Sequence, residues 1–254
     1  MWRFFIITLL LQIPLLAQVK TEIINYKDGN VNLKGFLAYK ESKTKLPVVL
    51  IVHEWWGLND YPKMRAQQLA ELGYAAFAVD MYGDGKVAAT PDEAGKFAGE
   101  VRGDLSKLRS RINAAYEFIK HDKRIDPDKI AIMGYCFGGT VALELARTGV
   151  DLKGAVVFHG GLSTANPSET KNVKAKILVC TGGDDKFVPE KDILAFQNEM
   201  NKAKVDWQIN IYSGAVHAFT NPKSGNNPAT NAAYNENADK RSFEAMKQFF
   251  KEIF

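Results

Sequence analysis

Apolar and polar positions in this chain alternate between two periods. Continuous apolar runs of strand length occur at Val48–His53, Tyr74–Val79, Ala155–His159 and Ile177–Thr181. Such runs fit central parallel strands covered on both faces. Lys129–Gly134 and Trp207–Tyr212 read as further strands, and Lys20–Tyr26 with Val31–Lys40 as a hairpin around Asp28-Gly29-Asn30. Between them the apolar spacing turns helical at Tyr61–Leu72, Phe137–Arg147, Pro189–Met200 and Ala238–Phe254. Thr90-Pro91-Asp92-Glu93 is a capping box with proline in the first turn. It opens a helical pattern from Ala94 to Ile119 that Gly95, Gly99 and Gly103 weaken, so a break near Gly103 is expected. This alternation predicts an α/β fold: a mostly parallel central sheet with helices on both faces. In such sheets the working groups gather at the C-terminal ends of the strands.

The first residues do not fit that pattern. Met1-Trp2-Arg3 precedes an apolar run, Phe4–Leu16, broken by Thr8, Gln12 and Pro14 and followed by Ala17-Gln18. One positive charge, a short apolar stretch and a small residue form the pattern of a secretory signal. The run is too short to span a bilayer comfortably, and no cysteine follows it to carry a lipid. The expectation is a signal peptide over 1–17 and a single domain over 18–254, placed in the periplasm or outside the cell. No stable membrane insertion is expected once the signal is removed.

The chain has 254 residues, 46% hydrophobic and 24% charged, which excludes a disordered or collagen-like chain and supports a sizeable core. The formal charge of +4 is spread without a dense Lys/Arg block, so nucleic-acid binding is not implied. Two cysteines, Cys136 and Cys180, are too few for a disulfide scaffold, and without a CxxC pair they make no cysteine-rich zinc site. His53-Glu54-Trp55-Trp56 continues with Gly57, so the two-histidine metalloprotease signature is absent. No phosphate-binding or dinucleotide glycine loop follows a strand. Neither a metal nor a cofactor is expected. Cys180, inside a strand, reads as a small buried hydrophobe.

Three strand ends carry a consistent chemistry. Lys129–Met133 runs into Gly134-Tyr135-Cys136-Phe137-Gly138-Gly139 and then a helix. This is the glycine–x–nucleophile–x–glycine elbow with cysteine as the nucleophile. A thiol there lies over a helix N-terminus, whose N–H groups and dipole favour a thiolate. The Phe137 N–H is placed for an oxyanion. The strand at 176–181 runs into Gly182-Gly183-Asp184-Asp185, and the strand Trp207–Tyr212 into Ser213-Gly214-Ala215-Val216-His217. The order nucleophile, acid, histidine is that of an α/β-hydrolase triad, in which histidine moves the proton and aspartate fixes its tautomer. Spacing alone allows either Asp184 or Asp185.

These motifs, with His217-Ala218-Phe219, Lys186-Phe187-Val188-Pro189 and the segment His53-Glu54-Trp55-Trp56-Gly57-Leu58, resemble the dienelactone hydrolase family. The likeness runs in order through almost all of 18–254. It implies an α/β-hydrolase fold and a Cys136–His217–Asp185 triad that hydrolyses esters or lactones without a cofactor. It also implies Glu54 as an auxiliary base acting on the thiol, and the Trp55 N–H as second oxyanion donor. Read from its type and place alone, Glu54 could equally be a structurally paired loop carboxylate.

The family's two carboxylate-binding arginines have no counterpart here. Asp80-Met81-Tyr82 continues with Gly83-Asp84-Gly85, and His217 with Ala218-Phe219-Thr220-Asn221. A neutral, apolar small-molecule ester or lactone is therefore expected, in a pocket walled by Trp55, Trp56, Tyr82, Tyr135 and Phe137. His159, at the end of a strand, is expected beside the substrate, with a core position as the alternative. His121 is expected to face solvent. The same residues would also serve an acyltransferase, or a binding protein on this fold without turnover. A monomer is expected.

Overall fold

The computed structural model describes residues 18–254; the expected signal segment lies outside the described residues. One eight-stranded sheet forms the frame. Its strands are β1 (Val19–Asp28), β2 (Val31–Lys40), β3 (Leu46–Val52), β4 (Ala75–Val79), β5 (Ile125–Tyr135), β6 (Gly154–Phe158), β7 (Lys176–Gly182) and β8 (Trp207–Tyr212). Their spatial order is β1-β2-β4-β3-β5-β6-β7-β8. β1 and β2 form the antiparallel hairpin, β2 joins β4 antiparallel, and all other pairings are parallel. The α/β arrangement expected from the sequence is the one observed.

Helices α1 (Asp60–Glu71) and α6 (Glu236–Ile253) cover one face of the sheet. Helices α2 (Pro91–Arg102), α3 (Leu105–Lys120), α4 (Phe137–Arg147) and α5 (Glu190–Ala203) cover the other. Residues of β3 alternate between the two cores: Val48, Leu50 and Val52 pack under α3 and α4, while Val49 and Ile51 pack under α1. All five are fully buried. Each such side chain contributes about 1.5–3 kcal/mol on burial, so the strand is fixed from both sides.

The long helical pattern after residue 90 is two helices. Thr90 accepts from the Glu93 N–H at 3.2 Å as expected, while Glu93 reaches back to the Ala89 N–H at 2.8 Å, one residue before the cap. The chain breaks at Gly103, and Asp104 caps α3 by accepting from the Lys107 N–H at 3.0 Å. β5 starts at Ile125, earlier than the apolar run at Lys129, because Ile125 pairs with Leu46 ahead of an irregularity in the β3–β5 ladder.

The chain passes from β3 outward to β4 and then back across to β5 on the other side of β3. The crevice beyond the C-terminal ends of β3 and β5 is therefore the topological switch point, where open α/β sheets bind ligands.

Candidate active site

Cys136 sits between β5 and α4 with φ +52° and ψ −114°. A non-glycine residue there costs about 1–3 kcal/mol of strain, held by the surrounding packing. That packing leaves no room for side chains. A Cβ on Gly134 would lie 2.0 Å from the Gly138 carbonyl oxygen, and one on Gly138 would lie 2.3 Å from that of Val52. The two glycines thus let the elbow close on itself and press against β3. The Cys136 N–H donates to the Phe158 carbonyl at 3.0 Å, and its half-buried thiol faces the switch-point crevice.

Asp185 and His217 come from the loops after β7 and β8. Asp185 Oδ1 accepts from the Phe187 N–H at 2.8 Å, which aims Oδ2 at His217 Nδ1, 2.9 Å away. Asp184 is exposed, whereas Asp185 is buried and is the one of the two that meets His217. His217 and Cys136 face the same cavity. With Nδ1 engaged by Asp185, Nε2 is the nitrogen left for the thiol. Burial works against the imidazolium, but the hydrogen bond to Asp185 and the neighbouring Cys136 outweigh it and push the His217 pKa up to about 10. Phe187 presents its ring to His217 edge to face, centroids 5.1 Å apart, and covers its outer side.

Glu54 follows β3 and is 4% exposed. Its Oε2 accepts from Asn221 Nδ2 at 2.6 Å. Burial raises its pKa to about 7, against the opposing pull of Asn221, His217 and Arg65. Phe137 opens α4, so its N–H is among those the helix leaves unpaired. The neighbouring loop brings Trp55 alongside. Glu54, Trp55, Cys136, Phe137, His217 and Asn221 line one cavity of about 1030 Å³, with Trp56, Leu105, Phe187 and Val188 on its apolar side.

A family model described as "Dienelactone hydrolase family" matches residues 33–254. The chain belongs to the dienelactone hydrolase family. "Protein usf" of Aquifex pyrophilus is 31% identical over 206 residues, 80% of this chain and 88% of that protein. A protein of Aquifex aeolicus named "Putative carboxymethylenebutenolidase" matches at the same identity and coverage. A crystal structure of a dienelactone hydrolase-like promiscuous phosphotriesterase from metagenomic libraries superposes with a TM-score of 0.88. It is 36% identical and covers 93% of this chain and 99% of its own. This chain is accordingly a dienelactone hydrolase-like hydrolase.

Some pocket residues expected for this hydrolase lie elsewhere. Trp55, Trp56 and Phe137 line the cavity; Tyr82, Tyr135 and His159 do not. Tyr82 is buried beneath it, donating to the Trp55 carbonyl at 2.9 Å and packing on His53 and Phe137. Tyr135 points to the opposite face of the sheet, among Tyr61, Phe158 and Arg65, because side chains alternate along β5. His159 is fully buried and takes the core position. His121 is exposed as expected. Cys180 is fully buried within β7, its pKa pushed up to about 12 by burial, and both cysteines are free thiols.

The cavity also contains groups the sequence did not reveal. Arg102, from the end of α2, and Lys223 both line it. The Arg102 guanidinium lies 5.7 Å from the Phe137 ring centroid and has no ion-pair partner among the described residues. The two family positions carry no arginine, as read from the sequence, but a helix supplies the cavity with a cation that those positions did not signal.

Proposed function

We propose that this hydrolase cleaves carboxylic ester or lactone bonds through an acyl-enzyme on Cys136. The observation that carries the reading is the Asp185–His217 hydrogen bond beside the cavity that His217 shares with Cys136 on its strained elbow. The Cys136 sulfur attacks the carbonyl carbon, and His217 holds the thiol proton. Negative charge on the carbonyl oxygen is met by the N–H groups of Phe137 and Trp55. Collapse expels the alkoxide, which takes the proton from His217 and leaves a thioester. His217 then removes a proton from water, hydroxide adds to the thioester, and the acid departs as the thiol is restored. Asp185 keeps the histidine proton on Nδ1 and stabilises the cation. Glu54, ionising near neutrality at the same cavity, is a second base for the thiol.

All these groups come from one chain, so the reading requires neither a partner subunit nor a cofactor. An acyl acceptor other than water would use the same steps up to the thioester. The cavity volume exceeds that of a simple lactone and lies at the upper end of the range for small-molecule sites, which favours substrates with a bulky apolar group. A second reading, cleavage of neutral phosphotriesters, is favoured by the 36% identical phosphotriesterase. The mature enzyme is proposed to begin at residue 18 and to act in the periplasm or outside the cell.

The decisive variant is Cys136→Ala. It is expected to keep the melting temperature while losing p-nitrophenyl acetate turnover, and the parent enzyme is expected to show the acyl mass on the peptide carrying Cys136. Undiminished turnover in the variant refutes the mechanism. Intact mass of the protein recovered from the secreting host is expected to match a start at Gln18; a retained Met1 refutes the processing.

A further inference from the structure

We infer that His159 is a positioning residue of this site, its ring acting as a strut between the backbone of Cys136 and, through Thr220, the loop that carries His217. The inference rests on Cys136 and His217 being the reacting pair. His159 follows β6 directly, and its own N–H donates to the Cys180 carbonyl at 2.8 Å, which locks its backbone to β7. Its ring is fully buried and touches neither the cavity nor solvent.

Both ring nitrogens are committed. Nδ1 accepts from the Cys136 N–H at 3.1 Å, so it carries no proton. The proton is then on Nε2, which donates to Thr220 Oγ1 at 2.8 Å. Thr220 is itself held from α1. Its Oγ1 accepts from the Tyr61 hydroxyl at 2.7 Å and its carbonyl from Arg65 Nη2 at 2.8 Å, while Arg65 is anchored to Asp239 on α6. Donors from α1 and from the imidazole thus converge on Thr220 and fix its place.

The backbone shows what the strut holds. Among the described residues six non-glycine positions have positive φ. Three of them, Cys136 at +52°, His159 at +41° and Ala218 at +57°, belong to this one cluster. Strain gathered in one place persists only where the surroundings over-determine it. Thr220 lies three residues beyond His217, and the His159 and His217 rings meet edge to face with centroids 5.1 Å apart. Burial keeps the His159 ring neutral, with a pKa well below 6.5, so no second imidazolium competes with His217. A core position needs only an apolar ring. The two nitrogens instead set the spacing between thiol and base, where a misplacement of about 1 Å costs roughly a hundredfold in rate.

The test compares His159→Phe, which keeps ring volume without either nitrogen, with Thr220→Val, which keeps shape without the hydroxyl. Both are expected to fold, since the Cys136 N–H retains the Phe158 carbonyl and the Tyr61 hydroxyl retains the Thr220 carbonyl. Each is expected to lower kcat for p-nitrophenyl acetate about ten- to a hundredfold, with KM within about threefold. The double variant is expected to be no worse than His159→Phe alone, because both changes remove one strut. His159→Asn, whose amide oxygen can take the Cys136 N–H, is expected to recover several-fold over His159→Phe. If His159→Phe fails to fold, Thr220→Val and His159→Asn carry the same comparison. Unchanged kcat in folded single variants, a loss confined to KM, or multiplying losses in the double variant overturns the inference. Cys136→Ala separates the levels. An active Cys136→Ala removes the reacting pair and the strut's role with it, whereas an inactive one beside undisturbed His159 and Thr220 variants removes the strut alone.

Discussion

Glu54→Gln is expected to make this protein more stable in mild alkali. Glu54 is 4% exposed, and burial lifts its pKa from 4.5 to about 7. Between those two values the unfolded chain has released a proton that the folded chain still holds. The unfolded state therefore binds fewer protons, and folding stability falls as pH rises. The cost is near zero at pH 4, about 1 kcal/mol at pH 5.5 and about 3 kcal/mol at pH 8, at 1.36 kcal/mol for each pKa unit. Above about pH 8 both states are ionised and the cost stays constant. Glutamine removes the charge, keeps the shape, and can still accept from Asn221 Nδ2 through its amide oxygen. For a domain of this length about 3 kcal/mol corresponds to roughly 6–12 °C in Tm. Thermal melts of parent and variant at pH 4 and pH 8 should therefore coincide at the lower pH and separate at the higher, with the variant melting later. A variant that melts with the parent at both pH values, or earlier at pH 8, refutes the burial argument. The same substitution removes a cavity-facing carboxylate, so on the proposed mechanism slower ester hydrolysis should accompany the gain in stability.

Asp185→Asn is expected to lower kcat by about a hundred- to ten-thousandfold, since an amide can leave the histidine in the wrong tautomer, while exposed Asp184→Asn leaves steady-state kinetics near the parent values. Equal kinetics for the two variants would refute the assignment of the acid. Arg102→Ala is expected to raise KM severalfold for p-nitrophenyl esters whose acyl chain ends in a carboxylate and to leave the matching neutral esters unchanged. An equal change for both ester series would show that the guanidinium acts by packing on Phe137 alone.

The local motifs were legible because their physics is local. A strand running into glycine–x–cysteine–x–glycine and then a helix dictates an elbow, whatever surrounds it, since only glycines fit at Gly134 and Gly138. Continuous apolar runs dictated buried parallel strands, the capping residue Thr90 set one helix start, and Gly103 marked the break that follows. The order of cysteine, aspartate and histidine along the chain followed from the order of strand ends. The choice of Asp185 over Asp184 came from family resemblance; in the structure a turn in which the Phe187 N–H claims Oδ1 aims the Oδ2 of Asp185 at His217.

What the sequence by itself determined was therefore the α/β class, the elbow and the strand ends at which chemistry could occur. Tertiary structure alone decided which side chains meet there. The direction in which a strand-end residue points depends on register and on its neighbours, so Tyr135 turned to the far face and His159 into the core, though both adjoin the elbow in space. Arg102 reached the cavity because Gly103 ends α2 beside it, and Asn221 met Glu54 because loops 167 positions apart share one crevice. Period and composition record how each segment buries its own surface. The approach of distant segments is fixed only when the sheet order places β3 between β4 and β5 and closes the switch point.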